Sequence, residues 1–313
     1  MPDPVVILCP GQGAQRVGMG RAWFDASPAA AQTFGAADAI LGDSLGAPLS
    51  EICFTGPAER LDSTDAAQPA LFVTAVASFQ AWAGDTDPAL AACAGLSLGE
   101  YTALHLAGAI SFEDGLRLVA LRGRAMQDAA AALPGAMVAL IGADEDQARD
   151  LCDRATSGRP DLVLVPANFN APGQVVLSGS AEACDLAESL AAQAGLRTAR
   201  LPVAGAFHSP LMKPAADRLA EALAPVAIAE PRCPVLSNVT GEPHAAGDGD
   251  FAAAVRDALV AQLTQPVRWE ACCRWLAAHT PGAFHEMAPG KTLAGLMRRI
   301  DRSITVTTHD HPD

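Results

Sequence analysis

Gly95-Leu96-Ser97-Leu98-Gly99 sets one serine between two glycines, with Glu100 immediately after. The pattern is G-x-S-x-G, in which glycines permit a sharp strand-to-helix turn that exposes a serine hydroxyl for nucleophilic attack. A helix starting just behind such a serine would aim its amides at a developing oxyanion. The same stretch is also S-x-x-E, a helix-capping box, so the residues alone leave two readings of Ser97 open. A serine hydroxyl is a weak nucleophile near neutral pH and needs a base within hydrogen-bond reach. Of the seven histidines, His309 and His311 are expected in a frayed, solvated tail and His244 in a solvated Gly/Asp-rich loop. His279 reads as a helix-end residue, and His105 lies about 12 Å beyond Ser97 along the same helix. His208 in "VAGAFHSPLM" and His285 in "GAFHEMAPG" remain. Each follows an expected strand, so either could reach the carboxyl edge of a sheet, where α/β sites form. The loop-to-helix position of His208 favours it without excluding His285. Two other chemistries fail on one residue each. Pro289 stands where H-E-x-x-H needs its second histidine, and Arg16 where G-x-G-x-x-G needs its third glycine.

Positioning such residues requires a framework. "PVVILCPGQGAQ" is a continuous apolar run stopped by Pro10 and Gly11, the pattern of a buried parallel strand ending in a tight loop. Residues 90–95 form a second strand that leads into Ser97 and a helix. Residues 113–131 form a helix with Leu116, Val119, Ala120 and Met126 along its apolar stripe. Strands alternating with helices indicate an α/β fold with a largely parallel sheet. After Pro134 the rhythm changes to strand "AMVALIG", helix "DEDQARDLCDRA", strands "LVLVPAN" and "QVVLSG", helix "AEACDLAESLAAQAG" and strand "LRTARLPV". This βαββαβ order is ferredoxin-like and predicts an inserted small subdomain over 135–203, leaving 1–134 and 204–313 as the main core. In that second part "SPLMKPAADRLAEALAPV" and "DFAAAVRDALVAQLTQPVRW" read as helices and "CPVLSNVTG" as a strand with a turn. "GAFHEMAPGKTLAGLMRRI" reads as strand, glycine turn and helix.

The 313 residues exceed what a single core usually holds. Half are apolar, yet no run reaches the roughly 18 uncharged residues of a membrane span, and Met1–Pro10 lacks the basic start of a signal peptide. A soluble, cytoplasmic protein is expected. A formal charge of −14 argues against a nucleic-acid partner, which would need clustered Lys and Arg. Eight scattered cysteines with no C-x-x-C pair predict reduced core thiols and no metal site.

Eight blocks follow one another in an order that carries a resemblance: "CPGQGAQ" (9–15), "GLSLGEYTAL" (95–104), "LRGRAMQ" (121–127), "NFNAPGQVVLSG" (168–179), "GAFHSPLM" (205–212), "SNVTG" (237–241), "QLTQPVRW" (262–269) and "APGKTLAGL" (288–296). Almost end to end, the chain resembles the malonyl-CoA:acyl carrier protein transacylases of fatty-acid synthesis. The resemblance implies a hydrolase-like α/β core carrying a ferredoxin-like subdomain. It implies Ser97 as the acylated nucleophile, His208 as its base, and the backbone amides of Gln12 and Leu98 as the oxyanion hole. The main-chain carbonyl of Gln262 would hold the histidine, Arg122 would grip the malonyl carboxylate, and Asn170 would be a further substrate contact. Malonyl-CoA and acyl carrier protein are the implied partners, with no metal or redox cofactor. Arg122 suits its role physically, because it flanks the apolar stripe of its helix and its planar fork can pair with a carboxylate in bidentate fashion. Arg117 and Arg124 read as surface arginines paired along the helix. Phe207, next to His208, is expected to narrow the acyl pocket. The family usually has histidine before the nucleophile, where this chain has Leu96.

An acidic carrier needs a local basic dock on this acidic enzyme. Lys291, Arg298, Arg299 and Arg302 crowd one stretch that contains a single acid, Asp301. Helix-end charge complementing the dipole is the plainer reading of the same residues. A monomer is expected. Two rival functions use the same residues differently: a thioester hydrolase that passes the acyl group to water, and a non-catalytic carrier-binding module.

Overall fold

The computed structural model describes residues 4–84, 88–247 and 249–312. Its strands are β1 (Val5–Cys9), β2 (Leu90–Gly95), β3 (Gly135–Ile141), β4 (Leu164–Ala171), β5 (Gln174–Ser180), β6 (Arg197–Arg200), β7 (Ala283–Met287) and β8 (Val306–His309). They form two sheets. One has the order β2-β1-β7-β8 and is parallel throughout. β1, "VVILC", is buried at every position, as a strand covered on both faces must be. The helix Thr64–Ala83 is buried along almost its whole length and packs against the helix Phe112–Ala132. Together they carry two of the polar side chains described below.

The second sheet is antiparallel with order β4-β5-β3-β6, and the helices Glu145–Thr156 and Ala181–Gln193 complete the βαββαβ sequence. It has its own core, including Val138, Leu140, Leu151 and Leu177. It is stitched to the rest of the chain where Phe169 N–H donates to the Val267 carbonyl (2.9 Å) and Val267 N–H to the Ala167 carbonyl (2.8 Å). The α/β architecture with a small second sheet is the one expected from the order of elements.

Several local expectations fail for identifiable reasons. "CPVLSNVTG" makes only isolated bridges, from Val235 to Cys93 and from Leu236 to Pro243. Pro234 has no N–H to offer a ladder, and the segment then turns to carry Asn238 under the elbow. The helix expected over 250–269 stops at Ala261, and the next helix, Trp269–His279, starts only at the last residue of that span, with Pro266 in between. The expected frayed tail is partly a strand: β8 pairs with β7, Trp23 Nε1–H donates to the His309 carbonyl at 2.9 Å, and Asp310 takes both Arg16 Nη2 and Gly290 N–H. His309 is accordingly buried. The His244 side chain, expected in solvent, is buried as well, because its loop folds back and His244 N–H donates to the Val235 carbonyl at 2.9 Å. Among the described residues no helix is long and apolar enough to cross a membrane. The eight cysteines are buried free thiols.

Candidate active site

β2 ends at Gly95, and Ser97 follows with φ 53°, a left-handed conformation that is uncommon and strained outside glycine. The glycines of the motif have a different task from the one the sequence suggested: they permit close approach. A Cβ on Gly95 would lie 1.9 Å from the Gly99 carbonyl carbon, and one on Gly99 would lie 2.2 Å from the Cys9 oxygen. The strain therefore falls on the serine, and neighbours hold it there. Asn238 Oδ1 accepts the Ser97 N–H at 2.6 Å while Asn238 Nδ2 donates to the Gly95 carbonyl at 2.8 Å. The capping alternative fails, since the helix Gly99–Leu106 has Leu98 at its N-cap and no side-chain cap bond.

Ser97 Oγ lies 2.9 Å from His208 Nε2. His208 also has a left-handed backbone, φ 56°. Its Nδ1 lies 2.7 Å from the Gln262 carbonyl oxygen. A carbonyl only accepts, so the proton sits on Nδ1 and the Nε2 lone pair faces the serine hydroxyl. The sequence explains why that carbonyl is free. In a continuing helix the Gln262 oxygen would take the N–H of residue 266, which is a proline and has none. Burial, and then the Arg122 charge, push the His208 pKa down from 6.5 to about 4, with the Gln262 bond opposing. His285 is no competitor. It lies within β7 opposite Ile7, its ring stacked on His309 and against Trp82.

Arg122, on the helix Phe112–Ala132, is only 1% exposed. Its Nη1 donates to Gln68 Oε1 (2.7 Å), and its Nη2 to Gln262 Oε1 (2.9 Å) and Ser97 Oγ (3.0 Å). Its Cζ lies 5.6 Å from the centre of the Tyr101 ring. Burial lowers its pKa, with Tyr101 and the Glu100 charge opposing. Among the described residues no carboxylate stands within ion-pair distance of this guanidinium. A buried cation held by amide oxygens beside a nucleophile can receive an anionic group. Arg117 pairs with Glu113 along the helix as expected, whereas Arg124 reaches across to Asp65.

The other expected site residues are placed as follows. The loop holding Gln12 presses on the elbow, where a Cβ on Gly11 would meet the Leu96 oxygen at 2.3 Å. Among the described residues neither the Gln12 nor the Leu98 backbone N–H has a protein acceptor. Phe207 is buried in the main core, and Asn170, on β4, has a buried Oδ1 with no partner. Arg298, Arg299 and Arg302 line one groove of about 420 Å³. Lys291 does not line that groove: it precedes the helix Thr292–Ile300, whose far end carries Arg298 and Arg299 about 10 to 12 Å along the axis. Gln68 and Asn238 were not singled out from the sequence, Glu100 was read only as the acid of a capping box, and His244 only as a solvated loop residue. Glu100 and Asn238 do stand inside the blocks "GLSLGEYTAL" and "SNVTG", the one signal that pointed to them.

Residues 6–307 match the family model described as "Acyl transferase domain". The malonyl CoA-acyl carrier protein transacylase of Escherichia coli K12 is 42% identical over 304 residues, covering 97% of this chain and 94% of that protein. Among solved structures, the malonyl-CoA:acyl carrier protein transacylase of Xanthomonas oryzae superposes with a TM-score of 0.90 at 40% identity, covering 99% of this chain and 95% of that one. A malonyl-transacylase solved in complex with a type II polyketide acyl-carrier protein does so with a TM-score of 0.90 at 37% identity, covering 99% and 96%. With an α/β core, a second ferredoxin-like sheet and an identity of this extent, the chain belongs to the acyl transferase family, among the malonyl-CoA:acyl carrier protein transacylases.

Proposed function

We propose that this enzyme moves the malonyl group from malonyl-CoA to the phosphopantetheine thiol of an acyl carrier protein through an acyl-Ser97 intermediate. The observation that carries the reading is the buried Arg122 guanidinium, without a carboxylate partner among the described residues, 3.0 Å from the Ser97 hydroxyl. In the first half, His208 Nε2 takes the hydroxyl proton as Oγ attacks the thioester carbonyl. The C–S bond then breaks, and the CoA sulfur leaves with the proton returned by His208. In the second half the carrier thiol gives its proton to His208 and attacks the acyl-serine, and Oγ departs to recover that proton. The Gln12 and Leu98 amides, free of protein acceptors, suit the oxyanion formed in each half. Arg122 exchanges the Ser97 hydroxyl and an amide oxygen for the malonyl carboxylate, while Gln262 keeps the imidazole in its working tautomer. Phe207 and Asn170 bound the acyl end of the cleft. All proton and acyl transfers run between the chain's own side chains, the malonyl-CoA thioester and the carrier thiol, so the reaction needs no cofactor.

Residues 135–203 act as a small subdomain against the core formed by 1–134 and 204–313. The groove of Arg298, Arg299 and Arg302 is the dock for the acidic carrier on a monomeric, cytoplasmic enzyme. The discriminating experiment mixes enzyme, malonyl-CoA and holo carrier protein and follows the products. The reading expects malonyl-carrier and free CoA in equal amounts. Free malonate in place of malonyl-carrier would make the protein a hydrolase.

A further inference from the structure

Glu100 is the acid of the elbow motif, and the transfer chemistry above makes no use of it. It is fully buried. Its carboxylate takes hydrogen bonds from three residues: Gln262 Nε2 at 2.7 Å and the Asn238 backbone N–H at 3.0 Å reach Oε2, and His244 Nε2 reaches Oε1 at 2.8 Å. Because a carboxylate only accepts, His244 carries its proton on Nε2.

The consequence lies in the Gln262 side chain. Its Nε2 donates to Glu100 and to the Ser97 carbonyl (3.0 Å), and its Oε1 accepts Arg122 Nη2 (2.9 Å). Turning that amide by half a revolution would set Oε1 against two acceptors and Nε2 against a guanidinium donor. Glu100, together with the Ser97 carbonyl, therefore sets which end of the amide meets Arg122, and Glu100 is the charged acceptor of the two. A carboxylate directly on Arg122 would satisfy the cation and close it to substrate. One amide away, Glu100 supplies its charge to the network and leaves the guanidinium bound to neutral oxygens that a substrate carboxylate can replace.

The geometry points to Glu100 as a positioning residue that selects a carboxylate-bearing acyl group, acting through Gln262 on Arg122 without touching substrate, with His244 holding its second oxygen. This assignment rests on the malonyl-transfer reading above. Its test is the near-isosteric Glu100→Gln, assayed with malonyl-CoA and acetyl-CoA for acyl-enzyme formation and for kcat/KM.

Losing a charge-assisted acceptor should cut malonyl kcat/KM by about 10- to 100-fold, and acetyl kcat/KM by about tenfold less than that. His244→Ala should shift the malonyl-to-acetyl ratio the same way by a smaller factor, and His244→Gln, which keeps a donor, should restore it. The His244 pair carries the same comparison if Glu100→Gln does not fold. Equal losses for both acyl groups, or an unchanged ratio in all three variants, would overturn the assignment and leave Glu100 as a support of the elbow alone. A wild-type enzyme with no malonyl preference would instead overturn the malonyl reading itself, so the two failures are distinguishable.

Discussion

Ser97 holds a backbone conformation that costs roughly 1 kcal/mol or more, and three partners make it worth holding: His208 Nε2, Arg122 Nη2 and, through its N–H, Asn238. In the proposed mechanism His208 takes the serine proton, which only the neutral ring can do. With its pKa pushed down to about 4, malonyl transfer should persist below pH 6.5, and the acid limb of kcat/KM should fall near pH 4. An acid limb at the ordinary histidine value would contradict the buried geometry. Stability has the matching sign. The unfolded chain takes this proton near pH 6.5 and the folded chain resists it to about pH 4, so His208 lowers stability progressively as pH falls through that window. Denaturant unfolding of wild type against His208→Gln should diverge between those values. Arg122→Ala should depress malonyl transfer at least about tenfold more than acetyl transfer, the share of a charge-assisted bond to the substrate carboxylate. Equal losses would remove its role as a clamp. At this scale the serine was legible in a five-residue pattern. The histidine was narrowed to two by position, and only the resemblance chose between them. Glu100 and His244 were not legible as a pair, because they are 144 residues apart and their contact depends on a loop folding back.

The elements that carry these residues explain what periodicity could and could not reveal. The apolar run of β1 and the small residues of β2 announced buried parallel strands, and the βαββαβ order announced the second sheet. The break after Ala261 was missed because apolar spacing runs on into "QLTQPVRW", although Pro266 marks the place where a helical N–H is absent. That proline has a functional consequence. Pro266→Ala would supply an N–H able to compete for the Gln262 carbonyl, loosening His208 and lowering kcat about 3- to 10-fold, the worth of one net hydrogen bond. The loss of a downfield imidazole N–H resonance would check the cause, and an unchanged kcat would show that the carbonyl is held by other means. Gly99→Ala meets the Cys9 oxygen 2.2 Å from its new Cβ, a backbone clash that no rotamer relieves. It should cost about 3 kcal/mol of stability in denaturant unfolding. β8 escaped sequence reading for another reason. It is four residues long and pairs with β7, while His309 at its end and Asp310 just beyond it are tied to Trp23 and Arg16, nearly three hundred positions earlier.

Across the whole molecule, net charge and local charge point in opposite directions. The chain carries −14, yet Arg298, Arg299 and Arg302 gather around one groove, and Arg299 is tied to Gln174 and the Pro172 carbonyl on the second sheet. Replacing Arg298 and Arg299 together by alanine should raise KM for the carrier and flatten its salt dependence, with no change in acylation by malonyl-CoA. An unchanged salt dependence would move the dock elsewhere. The two-sheet plan was readable because each sheet has a local sequence rhythm. The stitching at Val267 was not, because it joins β4 to a loop whose position is set only when both halves are folded. Between its two substrates the acyl group is held on one residue of the proposed mechanism, Ser97. Mixed with malonyl-CoA in the absence of carrier and mapped by peptide mass spectrometry, the protein should carry one malonyl group on Ser97 and none in Ser97→Ala. A malonyl group on any other residue, or an adduct surviving in Ser97→Ala, would contradict it.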